Sequence, residues 1–585
     1  MKSVQFTLIT ILYLTHINIQ AQNHDHVWLF GSGLHFGNPS PPHSDSRLDF
    51  NFDPPLVTID PRYMILTDNC IVTSDFDGNL LFYSSGKSIA NANHQTMAYG
   101  SGLNPDDYAS SVGATYALFP QGILTIPVPG DPEKYYILHA PFQLYDDPFA
   151  FITFALMFTT VDMTGFNGNG EVIAKNETII SDSLGVGKLT STKHANGRDW
   201  WVLCNEWRTN NYYTVLVTPD EPEVIRVQSV GSPVKDGLAQ AVFSPDGTKY
   251  AVVNGDIDTY IRIFDFDRCS GQLSNEIFME YSRTVHNILS PGLAISSNSR
   301  FLYFSATDTI YQYDLWTDDI PSSEIVVGEY DGNVDPFQNL FYLAQLAPDG
   351  KIYISAPNGS AYLHVIENPN EKGLACNFNQ RGVNLLNYNG TTLPNNPNFR
   401  LGPLDGSPCD TLGLDNIPIA KFRYEQPDSI DYLTVAFRDL SYYEPATWHW
   451  DFGDNTTSQD TSPVHVFAQD GTYEVCLTVS NDNGENTFCR TLFLGTVGTG
   501  NAIPAVEVSL FPNPCREGVN VVVKDYLPKD AKVVLYDALG QRHKVQTVQT
   551  GWNTVRLDGL RSGLYFYEIW EKGILLKSGK LIKIE

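Results

Sequence analysis

Beyond its first twenty residues the chain has no run of 18 apolar residues, which excludes a helical membrane span in its body. It has only 8 Cys in 585 residues, and no two are spaced C-x-x-C, so neither a zinc ribbon nor a dithiol redox motif is written here. Basic charge is scarce: 37 Lys and Arg stand against 66 Asp and Glu, a net charge of -29. That balance repels nucleic acid and anionic lipid and favours solubility. Catalytic signatures are missing as well, with no nucleophile elbow, H-E-x-x-H or paired-acid motif to quote. GVGKLT from Gly185 lacks the first Gly of a P-loop and the Ser or Thr after Lys188, and GFNGNG from Gly165 reads as a turn. Asp451-Phe452-Gly453 has no Gly-rich loop or H-R-D loop beside it, so it is not a kinase signature.

What the chain does have is 31 Tyr, 32 Phe, 45 Gly and 35 Pro, a composition that suits short strands joined by tight turns. Those strands repeat. AVFSPDGTKYAVV from Ala241, AISSNSRFLYFSA from Ala294 and AQLAPDGKIYISA from Ala344 follow one strand, turn, strand order, and their turn residues Asp246, Asn298 and Asp349 lie 52 and 51 positions apart. Looser copies at Ser74, Val128 and His194 bring the units to six, and VWLFG at Val27 supplies a strand that closes a ring or begins a seventh. One such unit buries only part of its apolar face. Units must therefore stack, and four-stranded units stack radially into a β-propeller. The expected fold class is all-β: a six- or seven-bladed propeller over residues 24–413, with a series of two-layer sandwiches as the alternative.

Two further segments resemble known families. ATWHWDFGDNTTSQDTSPVHVFAQDGTYEVCLTVSNDNGE, from Ala446, resembles a polycystic-kidney-disease (PKD) domain, which implies an immunoglobulin-like sandwich over 418–495; Asn455 stands where that family usually has Gly. After a linker at 496–507, SLFPNP, VVLYDALGQ, LDGLRSGLYFYEI and GKLIKIE follow in order. This order resembles the C-terminal sorting domain of type IX secretion cargo, a small β-sandwich over 508–585. Its matching positions are Pro512, Asn513, Pro514, Tyr536, Gly540, Gly563 and Tyr565. The resemblance implies the type IX secretion machinery and its sortase as partners, and a secreted or outer-surface location. The Ser-Pro-Asp-Gly turns resemble those of WD-repeat-like propeller ectodomains that precede such sorting domains. Met1, Lys2 and the apolar stretch Val4 to Ile19 read as a signal peptide, 1–21, cleaved after Ala21. Charge changes sign at the tail: from Gly500 onward 12 Lys and Arg meet 9 Asp and Glu, while the rest of the chain is net -32.

In the hairpin around Asn481-Asp482-Asn483-Gly484, Ser480 faces Glu485 and Thr478 faces Thr487, which sets Cys476 opposite Cys489 for a cross-strand disulfide. Cys376 and Cys409 are the second expected pair; the other four are expected as buried thiols. The carboxylates Asp75 and Asp77, Asp256 and Asp258, Asp265 and Asp267, and Asp318 and Asp319 lie near turns without EF-hand spacing. They read as solvated turn residues, no cofactor is identified, and calcium stays open. His24 and His26 could ligate a metal, although the segment is expected to be a mobile terminus; His94, His139, His194 and His286 are scattered among the units. Trp200, Trp201 and Trp207 could stack on sugar rings, but alternate Trp side chains in a strand are more often core. With no catalytic residue to name, the expected role is a binding or adhesion-type scaffold for extracellular protein or polysaccharide. The alternative is a propeller hydrolase or lyase acting on an external polymer.

Overall fold

The computed structural model describes residues 23–583 apart from 32–44, 106–118, 145–150, 234–236, 239, 256–258, 282–290, 336, 358, 427–431, 495–507, 512–514, 517, 524–531, 538–541, 549–550, 558 and 572–573. The described residues are nearly all strand and turn, and no helix among them is long and apolar enough to cross a membrane. Two compact units divide at Leu494 and Gly495.

The first unit opens with a three-stranded antiparallel sheet, Val27–Phe30, Ser46–Asp49 and Leu56–Ile59. An eight-stranded sheet follows, built from two four-stranded meanders (first strands Ile71–Ser74 and Ile123–Pro127) that touch in parallel at Ala98 and Glu171 on their last strands. Four more antiparallel meanders begin at Thr190–Lys193, Ala241–Phe243, Gly292–Ile295 and Ala344–Leu346, each numbering its four strands in chain order. First strands of successive sheets lie side by side, and apolar side chains fill the space between neighbouring sheets. Burial is close to complete on the inner strands: Trp200–Asn205 and Phe301–Ala306 are buried at every position, because each of their faces meets a neighbouring sheet. The last strands are more exposed, and in Gln272–Glu280 only Leu273 and Met279 are buried.

The repeated turn residues do one job at all three places. Asp246 accepts the N–H of Thr248 at 3.0 Å, Asn298 that of Arg300 at 3.2 Å, and Asp349 that of Lys351 at 3.1 Å, each closing the turn between first and second strands. The next residue takes a left-handed conformation, met by Gly247 (φ 73°), Gly350 (φ 77°) and, in the middle copy, Ser299 (φ 61°).

Thr434–Asp439 pairs with Phe422–Glu425 and Val464–Val466 in one sheet of a sandwich, while Thr447–Asp451, Thr457–Ser458, Gly471–Asn481 and Gly484–Leu494 make the other. Trp450, Phe437, Val475, Leu477 and Val479 fill the space between them. The long hairpin pairs Ser480 with Glu485, Thr478 with Thr487 and Cys476 with Cys489, and the two thiols form a disulfide. The other disulfide departs from expectation. Cys409 bonds to Cys269, not to Cys376, which is a buried free thiol. The reason is tertiary: Cys269 sits at the turn after Tyr260–Asp267, where the chain leaving the last meander passes, whereas Cys376 is sealed into the core against Tyr303 and Ile325. Cys70, Cys204 and Cys515 are also free and buried.

The second unit packs a three-stranded sheet (Val508–Phe511, Gly518–Val523, Gly551–Arg556) on a four-stranded one (Arg542–Thr547, Lys532–Asp537, Gly563–Glu571, Ile574–Lys583). Val521, Leu535, Val555, Ile569 and Leu581 are its buried core.

Candidate functional site

The space among the first strands is where chemistry would converge in such an array, and the chain fills it with itself. After Phe378–Asn389 the segment up to Leu404 runs past the sheets in turn. Thr392 donates to Leu66 O at 3.0 Å, the Asn395 N–H to Cys70 O at 3.0 Å, and the Asn395 amide to Ile123 O at 2.9 Å and Leu189 O at 3.0 Å. Gln345 reaches Asn396 O at 3.1 Å, and Asn398 reaches Pro245 O at 2.7 Å. Two buried glutamines complete the hub. Gln121 exchanges hydrogen bonds with both backbone groups of Ala241, and Gln240 accepts the N–H groups of Leu293 and Ala344. These amides satisfy backbone groups on the outer edges of first strands, away from the second strand of each sheet, so the hub is a structural joint. Asp68, half-buried beside it, accepts the Tyr342 hydroxyl at 3.1 Å, and burial pushes its carboxyl up to about 6.

A second polar cluster lies where this segment meets the sandwich that begins at Phe422–Glu425. Arg400 forks onto Asp25, one of its two bonds 2.7 Å long, and its guanidinium lies 5.4 Å from the Tyr442 ring centroid. His26 donates from Nδ1 to Asn51 Oδ1 at 2.9 Å, which leaves Nε2 to accept Lys421 Nζ at 3.3 Å. His24 donates from Nδ1 to Ser74 O at 2.7 Å among the rings of Phe76, Tyr135 and Phe399. Burial lowers His24 to about 4 and, with Lys421 and Arg400 close by, His26 to about 3, so both rings are neutral. The expectation of a mobile terminus is corrected here: residues 24–26 are buried, with Asp25 held by Arg400, His26 by Asn51 and Lys421, and His24 by Ser74 O through Nδ1.

The remaining candidates scatter. His139 is sealed between Asn104 and Thr159, His94 bridges Asp60 and Tyr83, and His194 sits against Trp201; His286 lies outside the described residues. Asp75 caps its own turn through the N–H groups of Asp77 and Asn79, Asp265 pairs with Lys249 and Asn275, and Asp267 accepts Cys269 N and Ser270 Oγ. Asp319 accepts the Ser322 N–H at 3.2 Å; Asp256 and Asp258 lie outside the described residues. Among the described residues no group of three or more His, Cys, Asp or Glu is placed to hold a metal ion. Trp200 and Trp201 are 1% and 2% exposed, one under Lys193 and the other bonded through Nε1 to Arg268 O, and are core rather than sugar platforms. Lys188 is buried and donates to Asn254 at 2.8 Å, which rules out a phosphate-binding role for GVGKLT. In the tail, Tyr536 and Tyr565 lie on neighbouring strands, Tyr565 buried with its hydroxyl on Arg561 O at 2.9 Å, and Gly563 begins that strand. Pro512, Asn513, Pro514 and Gly540 lie outside the described residues.

Comparison with known families gives both terminal modules an identity. Residues 419–493 match the PKD domain family, and residues 509–584 match the secretion system C-terminal sorting domain. The chain is exported cargo. The sorting domain, of the type IX kind, sends the protein out of the cell or onto its surface. Collagenase ColQ1 of Bacillus cereus (strain Q1) is 35% identical over 78 residues, 13% of this chain and 8% of that protein. A microbial collagenase of Vibrio alginolyticus is 36% identical over 56 residues, 9% and 7% respectively, so the chain spans less than a tenth of either. Among solved structures, the PKD1 domain of the Vibrio cholerae metalloprotease PrtV is 28% identical over 14% of this chain and 98% of its own, at a TM-score of 0.13. A quinonprotein alcohol dehydrogenase-like protein of Bacteroides thetaiotaomicron is 12% identical over 63% and 76%, at 0.31.

Proposed function

We propose that the protein is a surface-displayed binding scaffold in which the first sheet and the six meanders are seven blades of a propeller, recognising extracellular protein or polysaccharide without turning it over. The ring reading is supported by side-by-side first strands, by chain-order meanders, by the Gln240 amide that bonds to two sheets, and by the amides of Gln121 and Asn395, which bond to each other and to Ala241, Ile123 and Leu189. One observation carries the functional reading: the axial space, where a propeller enzyme would gather its acids, is occupied by the chain's own segment 389–404 and its hydrogen-bonded hub. PKD domains serve in many proteins as adhesion or binding modules, which agrees with the surface address. The type IX machinery and its sortase are the export partners in this reading. Removal of the tail between about Leu494 and Val508 completes the process.

The test is a glycan and protein array probed with the protein ending at Leu494, run beside a degradation screen on polysaccharides, peptides and esters with and without added calcium. Saturable binding to a neutral or cationic ligand without turnover is the expected result, since a body of net -32 repels acidic polymers. Turnover abolished by replacing a single carboxylate or histidine of residues 24–413 would overturn it in favour of a hydrolase or lyase.

A further inference from the structure

The way the sheet body closes assigns the PKD domain a task apart from ligand contact. Among the described residues the first and last sheets share no strand ladder. They are joined by Ser46 Oγ to Leu385 O at 2.5 Å, Gly390 N to Gly31 O at 2.8 Å and Asn387 to Asp45 O at 3.3 Å, together with a common core of Trp28, Phe50, Tyr353 and Leu385. A strand ladder would bind the ends of the body more firmly than these few bonds. Under the PKD sandwich the two ends are also pinned, since Asp25 at the start of the body holds Arg400 at its end. The sandwich lies on both: Tyr442 covers Arg400, Lys421 reaches His26, Arg490 pairs with Asp53 beside the first sheet, and Arg423 donates at 2.8 Å to Glu367 O, just past the third strand of the last sheet.

We propose that the PKD domain is an intramolecular clamp that holds the first and last sheets together, so that body closure and PKD docking form one cooperative unit. The inference rests on these contacts and not on the binding reading, which stands or falls with the ligand arrays. Sequence neighbours alone do not require it: a tethered spacer would leave the closing sheets indifferent to its own surface charges.

Hydrogen exchange with mass spectrometry on the full chain tests it. Arg490→Gln and Lys421→Gln each remove one PKD group that reaches the body, while Glu474→Gln alters an exposed PKD strand residue outside this interface. The first two variants are expected to speed exchange in Val27–Phe30 and Phe378–Asn389 about tenfold, the effect of about 1.4 kcal/mol of lost local stability, and Glu474→Gln to leave both unchanged. Faster exchange confined to 422–494, no change in either variant, or an equal effect from Glu474→Gln would overturn the clamp.

Discussion

Lowering the pH should destabilise the first unit well before its ion pairs are titrated. Burial depresses His24 and His364 to about 4 and His26 and His139 to about 3, against about 6.5 in an unfolded chain. Between those values the unfolded chain binds a proton that the folded ring refuses, so the stability from each neutral ring is complete above 6.5 and is lost as pH falls. Each ring then contributes a slope of about 1.4 kcal/mol per pH unit, and four together about 5. Asp68 acts in the opposite sense, because its carboxyl is raised to about 6; it offsets about 1.4 kcal/mol per unit between roughly pH 6 and 4. From these five groups the net loss near pH 5 is about 4 kcal/mol per unit, so one to two units remove about 4–8 kcal/mol, comparable with the lower part of a typical folding free energy of about 5–15 kcal/mol. Burial also raises Asp349, Asp439 and Glu444, which act with Asp68, and lowers His194, which acts with the other rings. Asp25 and Asp60, held below the usual carboxylate range by Arg400 and by His94 and Arg62, act only at lower pH. The assay is urea unfolding of residues 23–494 at pH 7, 6, 5.5 and 5, for the wild type and His139→Gln. Gln can keep the bonds to Asn104 and Thr159 but takes up no proton. It should reduce the slope by about 1.4 kcal/mol per unit. Parallel slopes for the two proteins, or a flat wild-type profile, would refute the reasoning.

Non-reducing peptide mapping should recover Cys269 linked to Cys409 and Cys476 to Cys489, with Cys376 alkylated only after unfolding; Cys409→Ser should cost about 2–4 kcal/mol, since the bridge closes a loop of 140 residues. Asn455→Gly should raise the PKD melting midpoint by a few degrees, because Asn455 holds a left-handed φ of 70° that Gly adopts without strain. Trp200→Ala should lower stability by about 3–5 kcal/mol and leave ligand affinity of the folded fraction unchanged, as a core side chain rather than a platform would; thermal melts and array titration check the two parts. Mass spectrometry of surface or released material should find no peptides from 508–585, and recovery of peptides reaching Glu585 would refute processing of the tail.

Sequence by itself determined what depends on local pattern. Period-two burial in TYEVCLTVS and the Asx turns at Asp246, Asn298 and Asp349 need only neighbours a few residues away, so strands, turns and repeat length could be read directly. The PKD and sorting modules were legible because their motifs are contiguous and ordered, and with them the exported location. Other features required the packed molecule. Cys409 had to choose among distant thiols, and only the path of the chain past the turn after Asp267 selected Cys269 over Cys376. His24, Asp25 and His26 look like a polar terminus until Arg400 and Lys421, nearly four hundred residues away, are laid against them. Asn395 looks like an ordinary loop residue in TTLPNNPNF. Its amide joins Ile123 to Leu189 because the chain must cross the space between the sheets to reach the PKD domain, and a carbonyl buried there on the outer edge of a first strand has to find a hydrogen-bond partner.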